Sequence, residues 1–317
     1  MLPVRFHLPG LRYNFPLNMF WMSLLKTNPQ YFREGVEIAS CFGTFPYALW
    51  NGGRLMADDQ CDSAFIKNAI KSINDQGVAV RYTFTNPTIG EDDLDDAYCN
   101  FLMDAANNGK NGVIVVSPIL EKYLREKYPN FTYTSSTCKE IKDLQKLDEE
   151  LNQDYKIVVL DYNLNNQWDI LNGIEHKEKL EILVNPVCIP DCKRRGEHYQ
   201  HVGRNQRVVL KNRELPPDKK IPVEPWSCKY GEYNSLSTIK NYCTYVSPED
   251  IWEKYVPAGI NNFKIEGRSA YLFSLIDTYC HYMIKPEYML EARLKLIKNL
   301  ELAGIFTIHK PRPSKWP

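Results

Sequence analysis

The sequence of 317 residues lacks both a long apolar run and an excess of charge of one sign. No stretch of about 18 apolar residues occurs, which excludes an ordinary membrane-spanning helix. Basic residues (39) and acidic residues (39) balance, so the formal net charge is zero. A neutral chain has no overall field that attracts nucleic acid, so a nucleic-acid partner is disfavoured, although local basic loops leave it open. The start "MLPVRFHLPG" has no signal-peptide pattern, so we expect a cytoplasmic protein.

Familiar hydrolase motifs are absent as well. The chain contains no G-x-S-x-G, no H-E-x-x-H and no recognisable Ser–His–Asp order. These absences disfavour the common serine and zinc peptidases. A cysteine nucleophile such as Cys188, with His198 as its base, stays open as an alternative.

Eight short runs of β-branched and aromatic residues alternate with segments of helical periodicity. Several runs are almost continuously apolar, which is typical of parallel strands covered on both faces. Eight strand–helix repeats predict a (β/α)8 TIM-like barrel formed by residues 1–317 as a single domain. The predicted strands are 4–8, 36–41, 78–85, 112–117, 131–136, 156–162, 180–188 and 263–268.

The seventh connection differs from the others. Residues 189–262 form a long insert that is rich in proline and charge, as in "NRELPPDKKIPVEPWS". Long irregular segments in compact domains are usually functional or disordered, so we expect an irregular lid over the site. Two helices are predicted within 270–304, and residues 305–317 are expected to form a surface tail.

Polar residues stand near the ends of several predicted strands, where barrel enzymes carry their active sites. Asp161 follows the sixth strand and is a candidate acid or ligand anchor, or else a helix cap. Arg268 ends the eighth strand and could bind a carboxylate or phosphate, or form a structural ion pair. His198 is a candidate general acid or base, or a solvated loop residue.

The nine cysteines include a C-x3-C pair, Cys188 and Cys192, at the predicted end of the seventh strand. Cys228 lies in the insert, and Cys41 ends the second predicted strand. Four thiolates at one barrel mouth fit either Zn²⁺ or a [4Fe–4S] cluster. The alternative is that some or all are ordinary buried thiols. Three other cysteines have no expected ligand partner nearby and are interpreted as structural: Cys61, Cys99 and Cys138.

Two segments, "LVNPVCIPDCKRRGEHY" and "VSPEDIWEKYVPAGINNFKIEGR", resemble the peptidase U32 family, and "WNGGR" at 50–54 is similar too. The resemblance spans roughly residues 35–270. It implies a barrel with a [4Fe–4S] cluster held by four cysteines. Members of that family include the oxygen-independent ubiquinone hydroxylation proteins and the tRNA and ribosomal RNA hydroxylation proteins. Other members are known as collagenase-like proteases.

The resemblance also suggests which cysteines would bind the cluster. Cys188 and Cys192 match the cysteine-rich segment at the seventh strand, and Cys228 matches a later cysteine before the eighth. Cys41 stands where one branch of the family has a ligand. The insert lacks the second close cysteine pair of some relatives, which leaves the fourth ligand open. Two further cysteines compete for that place: Cys243 and Cys280.

These observations favour a U32-like iron–sulfur barrel protein of an anaerobic cell. We expect redox or oxygen-independent hydroxylation chemistry on a small molecule or a modified residue, with a protein partner also open. The alternatives are a U32-type peptidase and a non-catalytic binding protein with a structural zinc site made of four cysteines.

Overall fold

The computed structural model describes residues 2–52, 61–228, 235–267 and 270–306. Within them, eight parallel strands close into a barrel in the order of the chain. The strands are β1 (Val4–Pro9), β2 (Val36–Gly43), β3 (Ala79–Phe84), β4 (Gly112–Val115), β5 (Thr132–Ser135), β6 (Ile157–Val159), β7 (Leu180–Leu183) and β8 (Asn262–Lys264). The predicted (β/α)8 barrel is therefore confirmed.

Helices follow the strands and cover the barrel. The described helices are α1 (Phe15–Thr27), α2 (Ser63–Asp75), α3 (Ala97–Ala106), α4 (Pro118–Lys127), α5 (Leu144–Leu151), α6 (Trp168–Leu171), α7 (Arg195–Glu214), α8 (Leu236–Ile239), α9 (Pro248–Asp250), α10 (Leu272–Met283) and α11 (Met289–Leu302). The two helices expected within 270–304 are α10 and α11. No helix in these ranges is long and apolar enough to cross a membrane.

Local sequence explains where these helices begin. The Asp62 carboxylate accepts a hydrogen bond from the Phe65 N–H at the start of α2, at 2.6 Å. The Ser117 hydroxyl does the same for α4, where Pro118 occupies a first-turn position that needs no N–H donor. Gly77 adopts φ +80° just after α2, the left-handed conformation that glycine adopts without strain.

The seventh predicted strand ends earlier than expected. β7 stops at Leu183, so Cys188 stands in the following loop and does not end a strand. The Val184 N–H still donates to the Lys264 carbonyl, at 3.0 Å. Beyond that point the Asn185 side chain, and not the backbone, forms the hydrogen bonds to the Glu266 backbone. Pro186 has no N–H that could continue the backbone pairing.

The insert between β7 and β8 contains a long helix, α7, where an irregular lid was expected. The residues that α7 buries are polar or lack a side chain: Arg195, His201, Gly203 and Gln206. A helix without an apolar stripe escapes detection by hydrophobic periodicity. A Cβ on Gly203 would stand 2.3 Å from the Asn86 Oδ1, so glycine permits α7 to approach the loop after β3.

A buried ionic cluster fills part of the barrel interior. The Glu181 carboxylate of β7 has no solvent exposure and lies 2.5 Å from the Arg81 Nη2 of β3. It also lies 3.2 Å from the Lys264 Nζ of β8 and 3.3 Å from the His7 Nε2 of β1. Burial alone would raise the pKa of Glu181, but Arg81, Lys264 and His7 together hold that pKa well below its usual range.

His7 is the neutral member of this cluster. Burial, with Arg81 and Lys264 nearby, lowers the pKa of His7 to about 3, although Glu181 acts in the opposite direction. The Ser40 Oγ accepts a hydrogen bond from the Arg81 Nε and lies 2.8 Å from the His7 Nδ1. Its own proton can therefore reach Nδ1, which leaves the His7 Nε2–H to face Glu181.

The low pKa of His7 predicts a loss of stability in mild acid. The unfolded chain protonates this histidine near pH 6.5 and the folded chain only near 3, so the unfolded state binds more protons between these values. Falling pH therefore favours unfolding. We expect His7 to account for about 2 kcal/mol of lost unfolding free energy between pH 7 and pH 5.

Urea unfolding of the wild type and a His7→Gln variant at pH 5 and pH 7 checks this expectation. The variant should lose less stability across that range, whatever its absolute stability. Glu181 affects the pH dependence of stability only at lower pH. Its pKa is depressed in the folded chain, so the folded and unfolded states bind different numbers of protons only below about 4.5, the pKa of an unperturbed glutamate. Equal pH dependence of the two proteins would show that His7 is not held neutral.

Candidate functional site

A pocket of about 180 Å³ opens at the C-terminal mouth of the barrel. Its walls are largely apolar and aromatic, and they come from β2, β7, the end of β8, the loops after β5, β6 and β7, and α7. This volume is below the roughly 300–1,000 Å³ of pockets that enclose drug-sized ligands. The pocket therefore suits a small group. Its apolar and aromatic lining consists of Phe42, Tyr162, Leu183, Val187, Ile189 and Tyr199.

Four cysteine side chains line this pocket: Cys138, Cys188, Cys192 and Cys228. All four are partly exposed. The thiols of Cys188 and Cys192 lie close enough across the C-x3-C loop for Cys192 to raise the pKa of Cys188. In the part of the chain that the structure describes, no three His, Cys, Asp or Glu side chains stand close enough together to hold a metal ion. The thiols thus surround the pocket without converging on one point.

Glu266 fixes the loop that carries Cys188. Its backbone N–H donates to the Asn185 Oδ1 at 2.7 Å, and the Asn185 Nδ2 donates to its carbonyl at 2.9 Å. The Glu266 carboxylate then accepts a hydrogen bond from the Val187 N–H, at 3.0 Å. Three hydrogen bonds to one residue beside β8 therefore set the direction in which the chain enters Cys188.

Burial dominates the chemistry of the Cys188 thiol. It raises the pKa of Cys188 to about 11, with the Cys192 thiol acting in the same direction and the Tyr162 hydroxyl acting against it. The buried Tyr162 hydroxyl has no hydrogen bond of ordinary geometry among the described residues. It lies near both the Arg195 guanidinium and the Cys188 thiol, which both influence its pKa.

Arg195 at the start of α7 connects this helix to the loops after β5 and β6. Its guanidinium binds the Asp161 carboxylate with Nη2, and its Nε lies 3.2 Å from the Glu140 Oε2. It also lies over the Tyr162 ring, 4.5 Å from the centroid. The Asp161 side chain is fully buried and also accepts the Asn163 N–H, at 2.9 Å. Asp161 thus anchors α7 and is not among the residues that line the pocket.

His198 reaches the pocket wall from the first turns of α7. Its ring stacks on the Trp226 indole, with centroids 4.8 Å apart and planes 6° apart. The Arg194 guanidinium lies over the same indole at 4.3 Å. This stack ties α7 to the segment that leads to Cys228.

The remaining predicted site residues lie elsewhere. Cys41 is in the middle of the buried layer between the barrel and its helices, next to Tyr279 of α10, and burial raises its pKa to about 12. Cys243 is exposed, and neither it nor Cys280 is among the residues that line the pocket. Arg268 and the "WNGGR" segment beyond Gly52 fall outside the described residues.

Cys138 and Tyr162 are pocket residues that the sequence did not single out. Cys138 was expected to lie away from the other candidate ligands, whereas it shares their pocket. One signal could have found both residues. Each follows shortly after the end of a barrel strand, at the same mouth as the C-x3-C loop.

Comparison with solved structures adds a similarity in fold. No protein-family model matches the sequence, and no curated protein matches it. A solved structure described as "The Structure of the U32 Peptidase Mk0906" is 13% identical, with a TM-score of 0.49, and the match covers 84% of this chain and 94% of that one. Similarity at this level transfers neither activity nor residue roles to this chain.

Proposed function

We propose that this chain is a U32-like iron–sulfur barrel protein that carries out redox or oxygen-independent hydroxylation chemistry on a small substrate. The observation that carries the proposal is the ring of cysteines at the mouth: four thiols from three separate loops line one pocket. Thiolates are the usual protein ligands of [4Fe–4S] clusters. The sequence resemblance to the peptidase U32 family points the same way.

The four pocket cysteines match what a [4Fe–4S] cluster needs, because such clusters are held by four cysteine thiolates. Cys188 and Cys192 already lie near each other, and Cys192 and Cys228 stand on loops outside any regular element. Loading would require these loops to draw inward and the thiols to lose their protons. Metal binding and ordering of such loops are usually coupled.

A bound cluster would supply one-electron transfer at the pocket wall. The residues of the chain would do the rest. The Tyr162 hydroxyl would donate to the Cys188 sulfur. Hydrogen bonds to the ligand sulfurs help to set the reduction potential of a cluster. Phe42 and Tyr199 would keep water from the substrate and pack against an apolar part of it. The Arg195–Asp161 pair would hold α7 over the mouth.

The peptidase alternative has less support from the pocket. A cysteine nucleophile acts as the thiolate and therefore needs a lowered pKa. Burial instead raises the pKa of Cys188 to about 11. His198, the candidate base, is stacked against Trp226. A structural zinc site is distinguished from the iron–sulfur proposal by metal content alone.

Iron and sulfide analysis tests the proposal on full-length chain that has been purified and reconstituted without oxygen. We expect iron and sulfide in equal amounts, broad visible absorption and an electron paramagnetic resonance signal after reduction. Cys188→Ser and Cys192→Ser should each release iron to a chelator at least about 10-fold faster, because even lost outer-shell partners cost roughly 10–100-fold in metal affinity.

The matched control is Cys99→Ala, a fully buried thiol on α3 outside the pocket. It should keep its iron and lose only the stability expected of a small core truncation. Zinc in place of iron would support the structural zinc site made of four cysteines instead. A protein that binds neither metal under these conditions would overturn the proposal.

A further inference from the structure

The pocket contains a cysteine that the sequence assigned to the structural core. Cys138 stands in a short 3-10 turn, Thr137–Lys139, directly after β5. Its N–H donates to the Ser136 Oγ at 3.1 Å, which fixes the turn at the end of the strand. Its side chain lines the same pocket as Cys188 and Cys192.

Two ion pairs join the loop that carries Cys138 to the loop that carries the C-x3-C pair. Glu140, two residues after Cys138, lies 3.2 Å from the Arg195 Nε. The Lys142 Nζ lies 2.9 Å from the Asp191 Oδ1, which precedes Cys192 directly. The first pair is largely shielded from water, whereas the second is exposed and contributes little energy by itself.

The first turn of α7 also lies close to the Glu140 side chain. A Cβ on Gly196 would stand 2.6 Å from the Glu140 Oε1, so a larger residue there would require this carboxylate to move. The Asp191 N–H donates to the Asn163 Oδ1 at 2.6 Å, which ties the C-x3-C loop to the loop after β6 as well. Cys138 and Cys192 are therefore carried by loops that are fixed to each other.

Cys41, by contrast, does not line the pocket. Its neighbours in β2, Ser40 and Phe42, both point into the barrel: Ser40 accepts from the Arg81 Nε, and Phe42 lines the pocket. Side chains alternate along a strand, so Cys41 points outward, toward Tyr279. Turning it inward would expel Ser40 and Phe42 from the interior.

We propose that Cys138, and not Cys41, is the fourth cysteine ligand of the cluster, together with Cys188, Cys192 and Cys228. This inference rests on the proposed function, since it needs a cluster to be bound. It would place one ligand on the loop after β5 and three on the segment after β7, and Arg195 connects these two parts of the chain through Glu140.

The experiment compares Cys138→Ser with Cys41→Ala after anaerobic reconstitution of the full chain. The readouts are iron per chain, the visible spectrum and the rate of iron release to a chelator. We expect Cys138→Ser to release iron at least about 10-fold faster than the wild type. Cys41→Ala should keep its iron and spectrum, with only the stability loss of a buried truncation. Circular dichroism of both metal-free variants checks that they fold, and Cys138→Ala replaces the serine variant if it does not.

The outcomes separate this inference from the proposed function. If Cys188→Ser loses iron and Cys138→Ser does not, the cluster stands and Cys138 is not its ligand. Loss of iron in Cys41→Ala or Cys243→Ala, with full iron in Cys138→Ser, would identify the true fourth ligand. A wild-type chain that binds no iron would overturn both proposals together.

Discussion

Replacing Glu181 by glutamine is expected to lower the free energy of unfolding by about 3–5 kcal/mol, the usual cost of breaking a buried ion pair. The carboxylate is fully buried and faces Arg81 and Lys264, whose side chains are themselves only 4% and 11% exposed. Glutamine has nearly the same shape but no charge. The variant would leave two cations inside the barrel without their counter-ion, and urea unfolding at pH 7 measures the result.

The surface of the same barrel offers a matched control. Glu37 of β2 lies 3.5 Å from Arg5, and their side chains are 57% and 44% exposed. Glu37→Gln should change the unfolding free energy by about 1 kcal/mol or less, because solvent screens exposed pairs. Adding Arg81→Met to Glu181→Gln should recover part of the lost stability, since it removes one of the two unpaired cations. Equal effects of Glu37→Gln and Glu181→Gln would contradict the buried cluster.

Asp161→Asn is expected to loosen α7 while the rest of the barrel stays intact. Asparagine cannot neutralise the Arg195 guanidinium, which is buried and, among the described residues, keeps only Glu140 as an ionic partner. We expect local opening of α7 to become easier by on the order of 3 kcal/mol. Amides of α7 should then exchange with solvent roughly 100-fold faster, while those of β1–β4 keep the wild-type rate.

Asp169→Asn is the control for this measurement, because Asp169 is an exposed residue of the nearby helix α6. It should leave the exchange of α7 unchanged. The same experiment tests the role that the sequence suggested for Asp161. A side chain that acts on substrate, and does not anchor α7, would leave exchange unchanged in Asp161→Asn as well.

The barrel could be predicted from the sequence because each strand carries its own signal. Runs such as "VAVRYTFT" are apolar enough to be buried on both faces, and the alternation with helices allows few other folds. The strand ends were harder to predict. After β7 the side chain of Asn185 takes over from the backbone, and composition alone does not distinguish that arrangement from a continuing strand.

The site was predictable only in part, for two physical reasons. The direction of Cys41 depends on which face of β2 turns inward, and the strand register sets that face. Helix α7 buries Arg195, Gly203 and Gln206, so its pattern contains no apolar stripe. The position of the C-x3-C loop at the C-terminal mouth was predictable, because parallel strands bring their carboxyl ends together.

Closure of the barrel by pairing of β1 with β8 sets the order in which the molecule can be assembled during synthesis. β1 cannot pair with β8 until β8 has left the ribosome. Contacts between residues so far apart in the chain form slowly. All four pocket cysteines are made before β8. A nascent chain therefore displays all four thiols before the pocket around them has formed, and they are open to oxidation during that interval. The proposed cluster would therefore have to be delivered after the chain is complete.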